Sequence, residues 1–148
     1  MTQGFEREVL ADGSVRMTSG ESAFLFTRPK SGVLVVTITG YDKGQFGTAP
    51  FDEIGAVLRL AAPVRLFVDA RNAVGATVTV SADWTRFLAR HAADLTHVHV
   101  LVGSKMVELT VAIARHLSRI ERLMQIYSDP GIFETQLKAA CRRPAGKA

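Results

Sequence analysis

Short apolar runs alternate along this chain with longer segments whose apolar residues recur every three to four positions. That alternation restricts the fold more than any other feature. Val33-Leu-Val-Val-Thr-Ile-Thr39 is a β-branched run between Ser31-Gly32 and Gly40, which predicts a strand. Val64-Arg-Leu-Phe-Val-Asp69, His97 to Val102 and Leu123 to Tyr127 read the same way, and Glu21 to Arg28 reads as a strand stopped by Pro29. Between them, Thr48-Ala-Pro50 opens a helix with Phe51, Ile54 and Leu58 on one face, since proline is tolerated in a first turn. A second helix is predicted from about Ala82 to Leu95 through Trp84, Phe87, Leu88 and His91. Gly103-Ser104 leads into a third with Met106, Leu109, Ile113, Leu117 and Ile120 expected inside, and Asp129-Pro130 opens a fourth through Phe133 and Leu137.

The resulting order, ββαβαβαβα, predicts an α/β domain with a mixed, mostly parallel sheet of about five strands and four helices. Residues 21–140 carry this pattern. Residues 1–20 are expected to be an N-terminal leader or an added hairpin turning at Asp12-Gly13, and 141–148 a basic flexible tail.

Charge and composition narrow the function classes. The net charge is +4, from 18 Lys and Arg against 14 Asp and Glu, but Arg142, Arg143 and Lys147 lie in the last eight residues. The body is nearly neutral and shows no basic stripe with a nucleic-acid motif, so no nucleic-acid partner is expected. No apolar run is long enough to span a bilayer, and Met1 to Glu8 has neither the basic start nor the apolar core of a signal peptide. With Cys141 the single cysteine, an internal disulfide is excluded and the expected location is cytoplasmic. Catalytic signatures are missing: Asp52-Glu53 are adjacent on a helix, Cys141 has no electropositive setting, and no Gly-x-Ser-x-Gly elbow occurs. No cofactor is expected.

Three segments carry a family resemblance: Val33–Thr39 with the Phe51 helix, Val64–Asp69, and Val98–Gly103 with the Lys105 helix and Ile126-Tyr-Ser-Asp-Pro130. Together they resemble the STAS superfamily, the sulphate-transporter and anti-sigma-factor-antagonist fold. The nearer likeness is to its SpoIIAA-like branch, whose relatives shade toward CRAL-TRIO lipid-transfer domains. The resemblance implies a non-catalytic regulatory module that binds a protein partner. Antagonists of that family place a phosphorylatable serine in an Asp-Ser-Ser-Gly type turn at the start of the second helix. Here the turn reads Thr79-Val-Ser-Ala-Asp83, so Ser81 is the serine at the matching place, and no glycine follows it.

Each candidate site has a plainer reading beside it. Ser81 is a phospho-switch candidate, while capping of the second helix explains the same residue. Asp69, Arg71, Ser104 and Lys105 fall at the carboxyl rim of a parallel sheet, where ligands bind. Gly103-Ser-Lys105 there suits an anion, or caps a helix. The expected partner surface is the second-helix region with the loop Ala70–Val80, carried by Asn72, Thr79, Asp83, Trp84 and Arg86. The alternative function is a small-ligand carrier, with an apolar or amphipathic ligand under the helices and its acidic head on Lys105 and Arg71. His97 and His99 share a strand face and are metal ligands only if further ligands join them. Arg115, His116, Arg119 and Arg122 make the third helix basic outside, either as a solvated face or as a dock for an acidic partner. A homodimer is a further partner to consider.

Overall fold

In the computed structural model, which describes residues 4–143, the strands are β1 (Glu6–Val9), β2 (Val15–Ser19), β3 (Ser22–Lys30), β4 (Val33–Asp42), β5 (Val64–Ala76), β6 (Leu95–Val102) and β7 (Met124–Tyr127). The helices are α1 (Ala49–Ala61), α2 (Val78–Arg90), α3 (Lys105–Ser118) and α4 (Pro130–Arg142). All seven strands form one sheet in the order β1-β2-β3-β4-β5-β6-β7, antiparallel as far as β4 and parallel from β4 to β7. The sheet is therefore wider than the expected five strands, the extra two being the pair formed by Glu6–Val9 and Val15–Ser19. Pro29 does not stop β3; the pairing with β4 shifts between Thr27 and Lys30, and an irregularity of this kind is where a strand accommodates proline.

Alternation along the parallel strands sends successive side chains to opposite faces. Leu34, Val36, Leu66, Val68, Val98 and Val100 go to one face, with Ile54 and Leu58 of α1, Leu88 of α2 and Val107 of α3. Strand order advances in one direction, so crossovers of one hand put these three helices on the same side. Val33, Val35, Phe67 and Leu101 go to the other face, under Phe133 and Ala140 of α4. Both faces of the parallel half are thus buried, which explains its continuous apolar runs.

Three expectations need correction. Residues 70–80 are not a loop: β5 continues to Ala76, paired with Thr39, Gly40, Tyr41 and Asp42 of β4, and Thr77 alone separates it from α2. Secondly, α2 spans 78–90, capped by Thr77, whose Oγ1 accepts the Val80 N–H at 3.2 Å. Leu95 belongs instead to β6. Finally, Cys141 and Arg142 are not tail residues but the last turn of α4, with Cys141 packed against the second core. The rest of that tail, 144–148, and residues 1–3 of the leader lie outside the described residues.

Candidate functional site

The carboxyl rim of the sheet splits the expected anion site between unrelated tasks. Asp69 and Arg71 lie on the α4 face of β5. The Arg71 guanidinium grips Asp69 through Nε–Oδ1 and Nη2–Oδ2, each at 3.0 Å, and its Nη2 reaches Glu134 of α4 at 2.9 Å. Its bonds to Asp69, and then to Glu134, raise its pKa further above the ordinary arginine value. Ser104 is the N-cap of α3, its Oγ accepting the Val107 N–H at 3.2 Å. Lys105 stands in solvent, 98% exposed, 3.5 Å from Glu108.

On the opposite face, α2 and α3 roof an apolar cavity of about 110 Å³. Its floor includes Leu66, Val68, Ala70 and Val100; Trp84 and Leu88 form one wall and Val107, Val111 and Ala114 the other. The void has a local cause. The expected inner stripe of α3 points outward: Met106 and Leu117 are 68% and 62% exposed, Leu109 and Ile113 50% or more. The helix is turned about one residue from the predicted orientation and presents smaller side chains, Val107, Ala114 and Ser118, to the sheet. Val107 and Ala114 line the cavity together with Ala70 and Ala73 of β5 and do not fill the space. Neither Arg71 nor Lys105 lines this cavity, so the acidic head expected for a carried ligand has no cation there.

The cavity adjoins a second, more polar pocket of about 240 Å³ through Phe24, Asp42 and Trp84, which line both. Thr48, Thr77, Thr79 and Asp83 contribute to this pocket. Asp42 ends β4; its carbonyl accepts the Thr77 N–H and its Oδ1 the Gly44 N–H at 2.9 Å. Burial pushes its pKa up, the Gly44 N–H opposes that shift, and the charge of Asp83 adds to it. The sequence analysis did not single out Asp42. The available signal was Asp42-Lys-Gly44 three residues after a β-branched run, an Asx turn at the carboxyl end of a strand.

Ser81 is the fourth residue of α2, not its cap, and lines the apolar cavity. Of the expected partner surface, Asn72, Thr79 and Arg86 are exposed. Asp83 pairs with Arg86, and Trp84 turns inward, its ring 5.0 Å from that of Phe51.

His97 and His99 of β6 sit on the α4 face. His97 Nδ1 lies 3.0 Å from Arg65 Nη2. His99, 2% exposed, stacks on Phe67 at 4.4 Å and places Nδ1 2.7 Å from Tyr127 Oη. The tyrosine donates its proton to Gln125 Oε1 at 2.7 Å, so His99 Nδ1–H is the donor to Tyr127 and Nε2 carries a bare lone pair. That Nε2 is buried without a partner. Burial first, then the charges of Arg65 and His97, press the pKa of His99 down to about 4. Among the described residues, no group of three or more His, Cys, Asp or Glu is placed to hold a metal, and no helix is long and apolar enough to cross a membrane.

No protein-family model and no curated protein matches the sequence. Solved structures do match. An uncharacterised protein with a SpoIIAA-like fold from Shewanella loihica PV-4 is 16% identical with a TM-score of 0.56, the match covering 82% of this chain and 98% of that one. An anti-sigma factor antagonist from Mycobacterium paratuberculosis is 19% identical with a TM-score of 0.54, covering 78% and 92%. The chain has the SpoIIAA-like fold that the sequence resemblance implied.

Proposed function

We propose that this domain acts by binding rather than by catalysis, and that its principal site is the apolar cavity between α2, α3 and the sheet. The carrying observation is that α3 turns its largest apolar side chains to solvent while its small ones leave the space beneath unfilled. Interiors are ordinarily close-packed, and a void of this size in a core costs roughly 2–3 kcal/mol at ~24 cal/mol per Å³. An apolar ligand would restore the missing contacts. Cavities of this order hold molecules about the size of benzene, and the opening toward the polar pocket leaves room for a longer amphipathic one.

Toluene, an apolar molecule close to benzene in size, titrated while the fluorescence of Trp84 in the cavity wall is followed, tests this reading. It is expected to bind the protein saturably. Ala114→Leu, which fills the cavity from α3, should weaken binding at least about tenfold with the melting temperature unchanged or raised. No saturable change, or equal binding by the variant, would sink the proposal.

A second reading rests on the outward stripe itself. Met106, Leu109, Ile113 and Leu117 form a continuous apolar row on one helix, and such patches mark interaction surfaces. A protein partner would then dock on α3, not on the 70–80 segment. The double variant Leu109→Ser/Ile113→Ser should change stability by no more than about 0.5 kcal/mol in urea unfolding, as surface substitutions do. A loss of several kcal/mol would mean that the stripe is core in solution, and the surface would be withdrawn.

A further inference from the structure

The cavity has a single charged side chain in its wall, and it is acidic. Asp42 is nine-tenths buried, and its Oδ1 is engaged by the Gly44 N–H. Its Oδ2 accepts no hydrogen bond from any described residue. That oxygen is not sealed in the core but open to the pocket, where it can take a donor from a ligand. It stands where the apolar cavity meets the polar pocket, whose rim adds Asp83 and the threonines 48, 77 and 79. Lys43 also lines that pocket, but its residue is exposed. Arg71, the cation expected to meet a carried ligand's head, is on the other face of the sheet, held by Asp69 and Glu134.

We infer that the ligand is an amphipathic amine, its hydrocarbon part filling the cavity and its ammonium seated on Asp42 at the mouth shared with the polar pocket. This rests on the cavity being a ligand site, as proposed above. The reasoning is complementarity: an ammonium supplies both the charge and the donor that Oδ2 lacks. An alcohol supplies the donor alone. A carboxylate would bring like charge against Asp42, with Asp83 behind it. The head-group preference is thus the reverse of the acidic head expected from Arg71 and Lys105.

Trp84 is the only tryptophan and lines both pockets, so its fluorescence reports occupancy without a label. Titration with octylamine, octan-1-ol and octanoate at pH 7 should rank them in that order, the amine binding about tenfold more tightly than the alcohol and octanoate least. Asp42→Asn keeps an acceptor for the Gly44 turn and removes the charge. It should weaken octylamine at least about tenfold and leave octan-1-ol within about twofold. Octanoate equal to or tighter than octylamine, or octylamine unaffected by Asp42→Asn, overturns the head-group assignment while leaving the cavity as a site. Absence of binding by all three overturns both. The ranking on the unmodified protein decides the matter even if the variant folds poorly.

Discussion

Gly103→Ala is expected to destabilise the domain by about 3 kcal/mol, near the top of the usual overpacking range. Gly103 joins β6 to the cap of α3, and a Cβ placed there would lie 2.1 Å from the carbonyl oxygen of Arg71 and 2.9 Å from its carbonyl carbon. Both are backbone atoms of β5, the strand between β4 and β6. No side-chain rotation relieves the collision. Moving Arg71 outward would disturb its fork with Asp69 and its bond to Glu134, and moving the β6–α3 junction would lift Val107 from the core. Against a total stability of roughly 5–15 kcal/mol, the loss should appear as a large drop in the urea midpoint. A midpoint within error of the wild type would show that the junction is not packed as described.

The second large effect is a dependence of stability on pH set by His99. Its unfolded value lies near 6.5 and its folded value at about 4. Above pH 6.5 the ring is neutral in both states and stability is unaffected by it. Between pH 6.5 and 4 the unfolded chain takes up a proton that the native ring refuses, so stability falls as pH falls. Below about pH 4 the native ring protonates too and the loss stops growing. At ~1.36 kcal/mol per unit, the accumulated loss is of order 3 kcal/mol. The physical cause is burial first, which leaves a protonated Nε2 without an acceptor, and then the charges of Arg65 and His97. Asp42 works in the opposite sense, since its raised folded pKa means the native state gains protons first on acidification. Comparing urea midpoints at pH 7 and 4.5 for wild type and His99→Leu removes the Asp42 contribution by subtraction. The variant should lose distinctly less stability over that interval, and parallel profiles would refute the assignment.

How much of this was legible in the sequence depended on whether a local signal had a rival nearby. The β-α succession was readable because β-branched runs and helical spacing differ in period. Asp129 and Ser104 were readable as caps because each stands immediately before its helix, Asp129 with a proline at the first helical position. Thr77 and Ser81 do compete: both can cap, they stand one helical turn apart, and the sequence offers no ground for choosing the earlier one. The extension of β5 to Ala76 was hidden because Ala73, Gly75 and Ala76 are poor strand formers, held in place by pairing with the end of β4. On α3 two sets of residues share helical spacing about one residue apart, and the larger set reads as the core. The structure buries the smaller one, leaving both the cavity and the outer stripe. Asp42 was missed for a related reason: its role comes from what α2 and Trp84 bring against it, contacts between residues far apart in sequence.

Spatial order in the sheet equals order along the chain, from β1 to β7. Each strand therefore joins an edge laid down immediately before it, and no connection has to reach across strands not yet made. For a sheet with three parallel pairings this keeps the enclosed chain segments short and the entropy of closing them small. A chain emerging from the ribosome can extend the sheet one strand at a time, with α1, α2 and α3 covering their face as they appear. The opposite face has α4 as its cover among the described elements. It stays bare until residues 130–142 are synthesised, so the side chains facing α4, Val33, Val35, Phe67, His99 and Leu101, are the last of the parallel strands to leave water.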